Sequence, residues 1–203
     1  MLQTQTIQPK LLELLRNIMS SDVFNNFYLV GGTSLALQLG HRISVDIDMF
    51  GNADIDEIEF VATLSKFGNV TIIKKSKSII IFSIDGIKVD FVSYNYPLLE
   101  NSMLFENIRL ASDKDVAAMK LNAIAGRGSR KDFIDLFFLM KKYTLKEMLS
   151  FYNQKYADGS EFMVIKSLNY FDDAEKEEMP IMLHDINWET MKNSILLETQ
   201  NLS

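Results

Sequence analysis

Cysteine is absent from the 203 residues, and histidine occurs only as His41 and His184. The first absence excludes disulfides and thiol catalysis, and the two together exclude Cys/His zinc centres. Three prolines and nine glycines leave few breakers, and no flexible linker, internal repeat or low-complexity segment divides the chain. No apolar run nears the length that spans a bilayer. The opening Met1-Leu2-Gln3-Thr4-Gln5-Thr6 lacks the charged and apolar regions of a signal peptide. Basic charge is also short: 21 Lys and Arg against 27 Asp and Glu give a net charge of −6. That argues against a broad nucleic-acid surface and leaves room for a local basic patch. The remainder, 47% hydrophobic and 24% charged, is ordinary for a soluble protein. These features predict a cytoplasmic chain with no membrane partner, built as one generous domain or one domain with a helical appendage.

Pro9 suits the start of a helix over 9–19, in which Leu11, Leu12, Leu14, Leu15, Ile18 and Met19 form a broad apolar face. Phe27-Tyr28-Leu29-Val30 reads as a buried strand that stops at Gly31-Gly32. A short helix over 33–39 follows, and Gly40 ends it. Residues 44–50 read as a second strand. Asp54-Ile55-Asp56-Glu57 offers a cap for a helix over 55–67, stopped by Gly68, and 70–75 is a further strand. Asp85-Gly86 between two apolar runs predicts a two-residue hairpin turn. Its register pairs Ile84 with Ile87, Phe82 with Val89 and Ile81 with Asp90.

From Asp113 onward the pattern is helical. Ser112 with Asp115 and Ser129 with Asp132 resemble capping boxes, on either side of a break at Gly126-Arg127-Gly128. Further helices fall over 145–156, 161–171 and 188–200. The division is a mixed α/β half, 1–96, and a helical half, 97–203, joined near Tyr96-Pro97.

Chemistry concentrates at Gly31-Gly32-Thr33-Ser34 and at Asp46-Ile47-Asp48. Two glycines between a strand and a helix allow close approach of backbone to ligand, and the helix start presents N–H groups to an anion such as phosphate. Thr33 and Ser34 would add hydroxyl donors. Strand alternation places Asp46 and Asp48 on one face, with Val45, Ile47 and Met49 on the buried side. Two acids projecting together call for a hard divalent cation, Mg²⁺ first, unless both are solvated. Asp90, in Ile87-Lys88-Val89-Asp90-Phe91-Val92, is a third acid on a strand otherwise too apolar to want a charge. It either faces solvent beside Lys88 or joins the pair. Such a trio suits metal-assisted phosphoryl transfer. Lys120 and Arg127, seven residues apart, share a helix face that could meet a triphosphate or be a solvated edge. Asp132 reads as a cap acid after Ser129, and Asp135 stands among Ile134, Leu136 and Phe137. His41 has no ligand partner, and a surface or hydrogen-bonding role suits it. Phe133, Phe137 and Phe138 read as core, and Lys74, Lys75 and Lys77 as an exposed turn.

Leu29-Val30-Gly31-Gly32-Thr33-Ser34, followed by His41-Arg42-Ile43-Ser44-Val45-Asp46-Ile47-Asp48-Met49-Phe50, resembles the AbiEii/AbiGii toxin branch of the DNA-polymerase-β-like nucleotidyltransferases. Arg42-Ile43-Ser44 matches that branch's Arg-x-Ser. Lys120, Arg127 and Lys131-Asp132-Phe133-Ile134-Asp135-Leu136 are similar to its later helical motifs. The resemblance implies an α/β (α+β) fold, a minimal nucleotidyltransferase mixed sheet with flanking helices followed by a helical domain that completes the active site. It implies that Gly31, Gly32, Thr33, Ser34, Arg42 and Ser44 serve the nucleotide phosphates, and that Asp46, Asp48 and Asp90 hold Mg²⁺, with Mn²⁺ as a substitute. It further implies nucleotide contacts for Lys120, Arg127 and Asp132 and a place for Asp135 in the catalytic set.

The expected reaction moves a nucleoside monophosphate from an NTP to a hydroxyl. The resemblance implies a toxin of a toxin–antitoxin or phage-defence pair, with the 3′ end of tRNA as an acceptor and an antitoxin protein as a partner. Two other readings stay open on the residues alone: nucleotidylation of a protein hydroxyl, and a non-catalytic nucleotide-binding module.

Overall fold

The computed structural model describes residues 1–202 and divides them into two compact units. The first comprises Met1–Gly40, Ser44–Pro97 and Asn101–Ala111; the second comprises His41–Ile43, Leu98–Glu100 and the described residues from Ser112 onward. The division therefore differs from a single cut near Tyr96-Pro97. After Pro97 the chain still supplies two strands to the first unit, and a three-residue segment ahead of the acids groups with the helices.

The first unit is a seven-stranded mixed sheet ordered β3-β4-β5-β2-β1-β7-β6. Its strands are β1 (Tyr28–Leu29), β2 (Ile47–Gly51), β3 (Val70–Lys75), β4 (Ile79–Ile84), β5 (Ile87–Ser93), β6 (Met103–Phe105) and β7 (Ile108–Leu110). Helices α1 (Pro9–Met19), α2 (Gly31–Leu39) and α3 (Glu57–Leu64) flank it. β2 is central, antiparallel to β1 and parallel to β5. The β4–β5 hairpin has the register that its turn dictates: Ile84 opposite Ile87, Phe82 opposite Val89, Ile81 opposite Asp90. Asp85 and Gly86 both have positive φ, 48° and 86°, as this turn requires.

Alternation sorts the strands into two faces. Ile80, Phe82 and Ile84 of β4, Val89 and Phe91 of β5, and Ile47 and Met49 of β2 join Leu11, Leu14, Leu15 and Ile18 of α1 and Phe60 and Leu64 of α3 in one core. Phe24 stacks on Phe91 at 4.8 Å and meets Phe60 edge-on at 5.0 Å, contacts that add to the area they bury. The opposite face carries Asp48, Lys88 and Asp90, and α2 follows directly on β1.

Several boundaries shift from expectation. α2 begins at Gly31, because Gly31 and Gly32 enter the helix instead of preceding it. β2 begins only at Ile47, so Val45 lies outside the ladder and is 49% exposed. The cap of α3 is Asp56, which accepts from the Glu59 N–H, and that helix ends at Leu64. β6 and β7 are short and carry no Gly in their turn. Glu106 and Asn107 instead adopt positive φ there, and β7 is held by parallel pairing of Leu110 with Leu29.

The second unit contains α4 (Asp113–Gly126), α5 (Arg130–Leu139), α6 (Leu145–Lys155), α7 (Glu161–Ser167) and α8 (Trp188–Gln200). Phe133, Phe171 and Trp188 form an aromatic cluster within it. Among the described residues, no helix is long and apolar enough to cross a membrane.

Candidate active site

Each unit carries its own group of the residues singled out from the sequence. In the sheet unit, the β1–α2 turn and the starts of β2 and β5 come together. Val30 donates its N–H to the Asp48 carbonyl, which ties the turn to β2. Gly31 has φ +68°, and a Cβ there would collide with Asp48 Oδ2. Only glycine permits both the turn and the carboxylate's approach. The first i→i−4 bond of α2 runs from the Ser34 N–H to the Val30 carbonyl. The N–H groups of Gly31, Gly32 and Thr33 therefore precede the helical ladder and form an anion-seeking end beside Asp48.

The hydroxyls of this turn are bonded within the sheet unit. Thr33 is buried and donates to the Asp46 carbonyl, with Ser44 Oγ 2.8 Å away. Ser34 is buried too and accepts from Gln38 Nε2 at 3.1 Å. Thr33 and Ser44 thus brace the turn against the segment that leads into Asp46.

Parallel pairing sets Asp48 directly beside Asp90, so the third acid is in register with the pair. Lys88, two residues before Asp90 on the same strand face, donates to Asp90 Oδ2 at 2.6 Å. The other oxygen, Asp90 Oδ1, is buried and has no hydrogen-bond partner among the described residues. Partial burial opposes the Lys88 ammonium, but Asp90, then Asp48 and Asp46, outweigh it and raise its pKa. The charge of all three carboxylates is therefore felt at Lys88. Among the described residues, no three carboxylate or imidazole groups stand together as a preformed metal cage. The donor set still fits a hard divalent cation, because it is all carboxylate oxygen and leaves Asp90 Oδ1 unsatisfied.

The helical unit gathers the other group around Asp135. Arg42 grips its carboxylate with a fork, Nε to Oδ1 at 2.7 Å and Nη2 to Oδ2 at 2.8 Å. His41 Nε2 lies 2.7 Å from Oδ1 and Lys120 Nζ 2.6 Å from Oδ2. Lys120 also reaches Asp132 Oδ1 at 3.0 Å. Arg127 donates to both oxygens of Asp132, at 2.9 and 3.3 Å, and Ser129 Oγ donates to Oδ2 at 2.8 Å. His41, Arg42, Lys120, Asp132 and Asp135 are all buried, whereas the Arg127 side chain is 71% exposed.

Burial alone would raise the Asp135 carboxyl, but Lys120, Arg42 and the His41 hydrogen bond hold it well below the usual range. Asp132 is likewise disfavoured by burial and pulled down to about 2 by Lys120 and Arg127. Burial penalises the Lys120 ammonium, yet Asp135 and Asp132 raise its pKa. Desolvation lowers His41 despite the pull of Asp135.

Arg42, Lys120, Arg127 and Asp132, expected to meet the nucleotide, are gathered with Asp135 in one charged group. In this structure their charged groups are directed at one another. Ser129 is not a side-chain cap either: its hydroxyl goes to the Asp132 carboxylate, while the Asp132 N–H bonds the Ser129 carbonyl. His41 is a buried member of the cluster and not a surface residue. Its adjacency to Arg42 was the available signal. A second buried pair, Lys155 Nζ with Asp115 Oδ1 at 2.7 Å, joins residues forty apart, and the cap reading of Asp115 gave no sign of it. Asp115 also accepts from the N–H groups of Leu99 and Glu100, which fixes that short segment to α4.

Comparison with known proteins follows the same lines. The family described as "Nucleotidyl transferase AbiEii toxin, Type IV TA system" matches residues 13–201. The protein aq_aa25 of Aquifex aeolicus (strain VF5) is 43% identical over 171 residues, 81% of this chain and 83% of that protein. MenT4, a nucleotidyltransferase toxin from Mycobacterium tuberculosis, superposes with a TM-score of 0.65 at 14% identity, covering 94% of this chain and 81% of its own. JHP933 from Helicobacter pylori gives 0.59 at 17% identity, covering 95% and 88%. The antibiotic-resistance factor ANT(2″)-Ia gives 0.53 at 11%, covering 70% and 89%.

Proposed function

Since the chain belongs to the AbiEii family of nucleotidyltransferase toxins, we propose that its sheet unit transfers a nucleoside monophosphate from an NTP to the 3′-terminal hydroxyl of tRNA. The observation that carries this reading is the row formed by Asp48 and Asp90, set beside the glycine turn at the start of α2. The N–H groups of that turn hold the triphosphate, and the dipole of α2 favours its charge. Asp46, Asp48 and Asp90 would hold Mg²⁺, or Mn²⁺ in its place. The ion, when bound, offsets phosphate charge and eases deprotonation of the attacking hydroxyl.

The acceptor oxygen forms a bond to the α-phosphorus, the bond from that phosphorus to the β-phosphate oxygen breaks, and pyrophosphate leaves. The hydroxyl proton passes to solvent. Orientation and fixed charge supply most of the rate. Asp135, Asp132 and Lys120 keep the segment at Arg42 in place, four residues before Asp46 in sequence. The family's place in toxin–antitoxin systems supports an antitoxin protein as partner, a phage-defence setting and action in the cytoplasm.

The test is label transfer from each of four α-³²P NTPs, with Mg²⁺, into total tRNA and total protein. Label in tRNA from the native protein, reduced by ~10²–10³-fold in Asp48→Asn, is the expected result. Label in protein would move the acceptor to a partner's hydroxyl. Equal transfer by Asp48→Asn would remove the acids from the mechanism.

A further inference from the structure

The acid row of the sheet already has a cation, and the chain itself provides it. Lys88 and Asp90 share one face of β5, and their charged groups are 2.6 Å apart. Asp90 stands next to Asp48 across the parallel β2–β5 ladder, so an ammonium at this point faces the whole row. The Asp90 side chain is 16% exposed and the Lys88 side chain 41%. The acid is fixed in the sheet, while the lysine reaches it on a flexible stem open to solvent. The pairing is also incomplete. It serves Asp90 Oδ2 and leaves Oδ1 buried without a hydrogen-bond partner, a costly arrangement unless a further ligand completes it.

Resting on the nucleotidyltransferase reading above, we infer that Lys88 is an internal counter-cation that occupies the divalent-ion position at Asp90 and must swing away before an ion binds there. Without it, carboxylates on neighbouring strands would repel one another across the sheet. With it, the row is stable before substrate arrives, and ion binding is weakened by the displacement. A lysine suits this exchange because its charge is a single point on rotatable bonds, free to leave without breaking a fork. Compare Arg42, whose guanidinium binds Asp135 through two bonds and is not built to leave.

The measurement is Mn²⁺ binding without nucleotide, read as loss of the free-ion electron paramagnetic resonance signal, in the native protein, Lys88→Met, Lys88→Gln and Lys88→Arg. Removing the ammonium should tighten Mn²⁺ binding about tenfold, or about 1.4 kcal/mol, in both neutral variants. Lys88→Arg, which retains a cation and can fork onto Asp90, should bind Mn²⁺ no more tightly than the native protein. In the background of Asp90→Asn the advantage of Lys88→Met should vanish. Equal or weaker binding by both neutral variants, with a folded far-ultraviolet circular dichroism spectrum, would overturn the inference and leave the metal reading standing. Absence of Mn²⁺ binding from the native protein and every Lys88 variant would also overturn the inference, while label transfer from NTP decides the nucleotidyltransferase reading separately.

Discussion

Two groups of aspartates on this chain have opposite fates. In the sheet unit, Asp48 and Asp90 lie on a half-exposed face, and one buried Asp90 oxygen has no hydrogen-bond partner. In the helical unit, Asp135 and Asp132 are buried, and each carboxylate accepts from three side chains. In the first group, Asp90 Oδ1 keeps capacity to bind something else. The second has none to spare, since Lys120, Arg42 and Arg127 neutralise it from within. Burial by itself therefore does not mark a reactive acid; incomplete satisfaction does.

The largest expected effect is on stability. Asp135→Ala leaves Arg42, Lys120 and His41 facing a void with uncompensated charge, so it should lower unfolding free energy by about 3–5 kcal/mol. Urea unfolding measures this. Asp48→Asn should shift the same midpoint little while removing transfer, and a variant pair that behaved alike in both assays would erase the contrast drawn here.

Next comes acid sensitivity. Asp132 has its folded pKa depressed to about 2 from 3.8, so its contribution is present above about pH 4 and is lost as pH falls through about 2. The difference amounts to about 2 kcal/mol. The stability gap between native protein and Asp132→Asn should narrow across that window. A gap that held constant from pH 5 to 2 would show that the Asp132 carboxylate does not carry it. The smallest effect belongs to Arg127→Ala. Its side chain is 71% exposed, and exposed ion pairs contribute at most about 1 kcal/mol. A loss above 2 kcal/mol would place Arg127 with the buried members.

Much of the sheet was legible in the residues. Asp85-Gly86 specified its hairpin and register because few residues tolerate successive positive φ, and a two-residue turn fixes every pair beyond it. That register carried Asp90 to its row beside Ile81. The pairing of Asp90 with Asp48, by contrast, depends on a parallel ladder whose strands are some forty residues apart, and no local signal sets such a register. β6 and β7 escaped notice for a related reason. They are three residues each, and their turn uses Glu106 and Asn107 in place of glycine.

Among the site residues, the glycine turn and the three acids were visible as types at a spacing. The roles of Thr33, Ser34, Lys120 and Asp132 were not. A hydroxyl or a lysine in a helix can face a ligand or the interior with the same neighbours in sequence. Which it does depends on partners such as Asp46 for Thr33, or Asp135 for Lys120, that only folding brings within 3 Å of the latter.

By itself, the sequence determined what is local: the existence of most helices, the hairpin, the glycine turn, and the acids that follow it in sequence. The tertiary structure alone decided which charges neutralise one another. Charge pairing is set by distance and desolvation in space, and neither quantity is written in the order of residues.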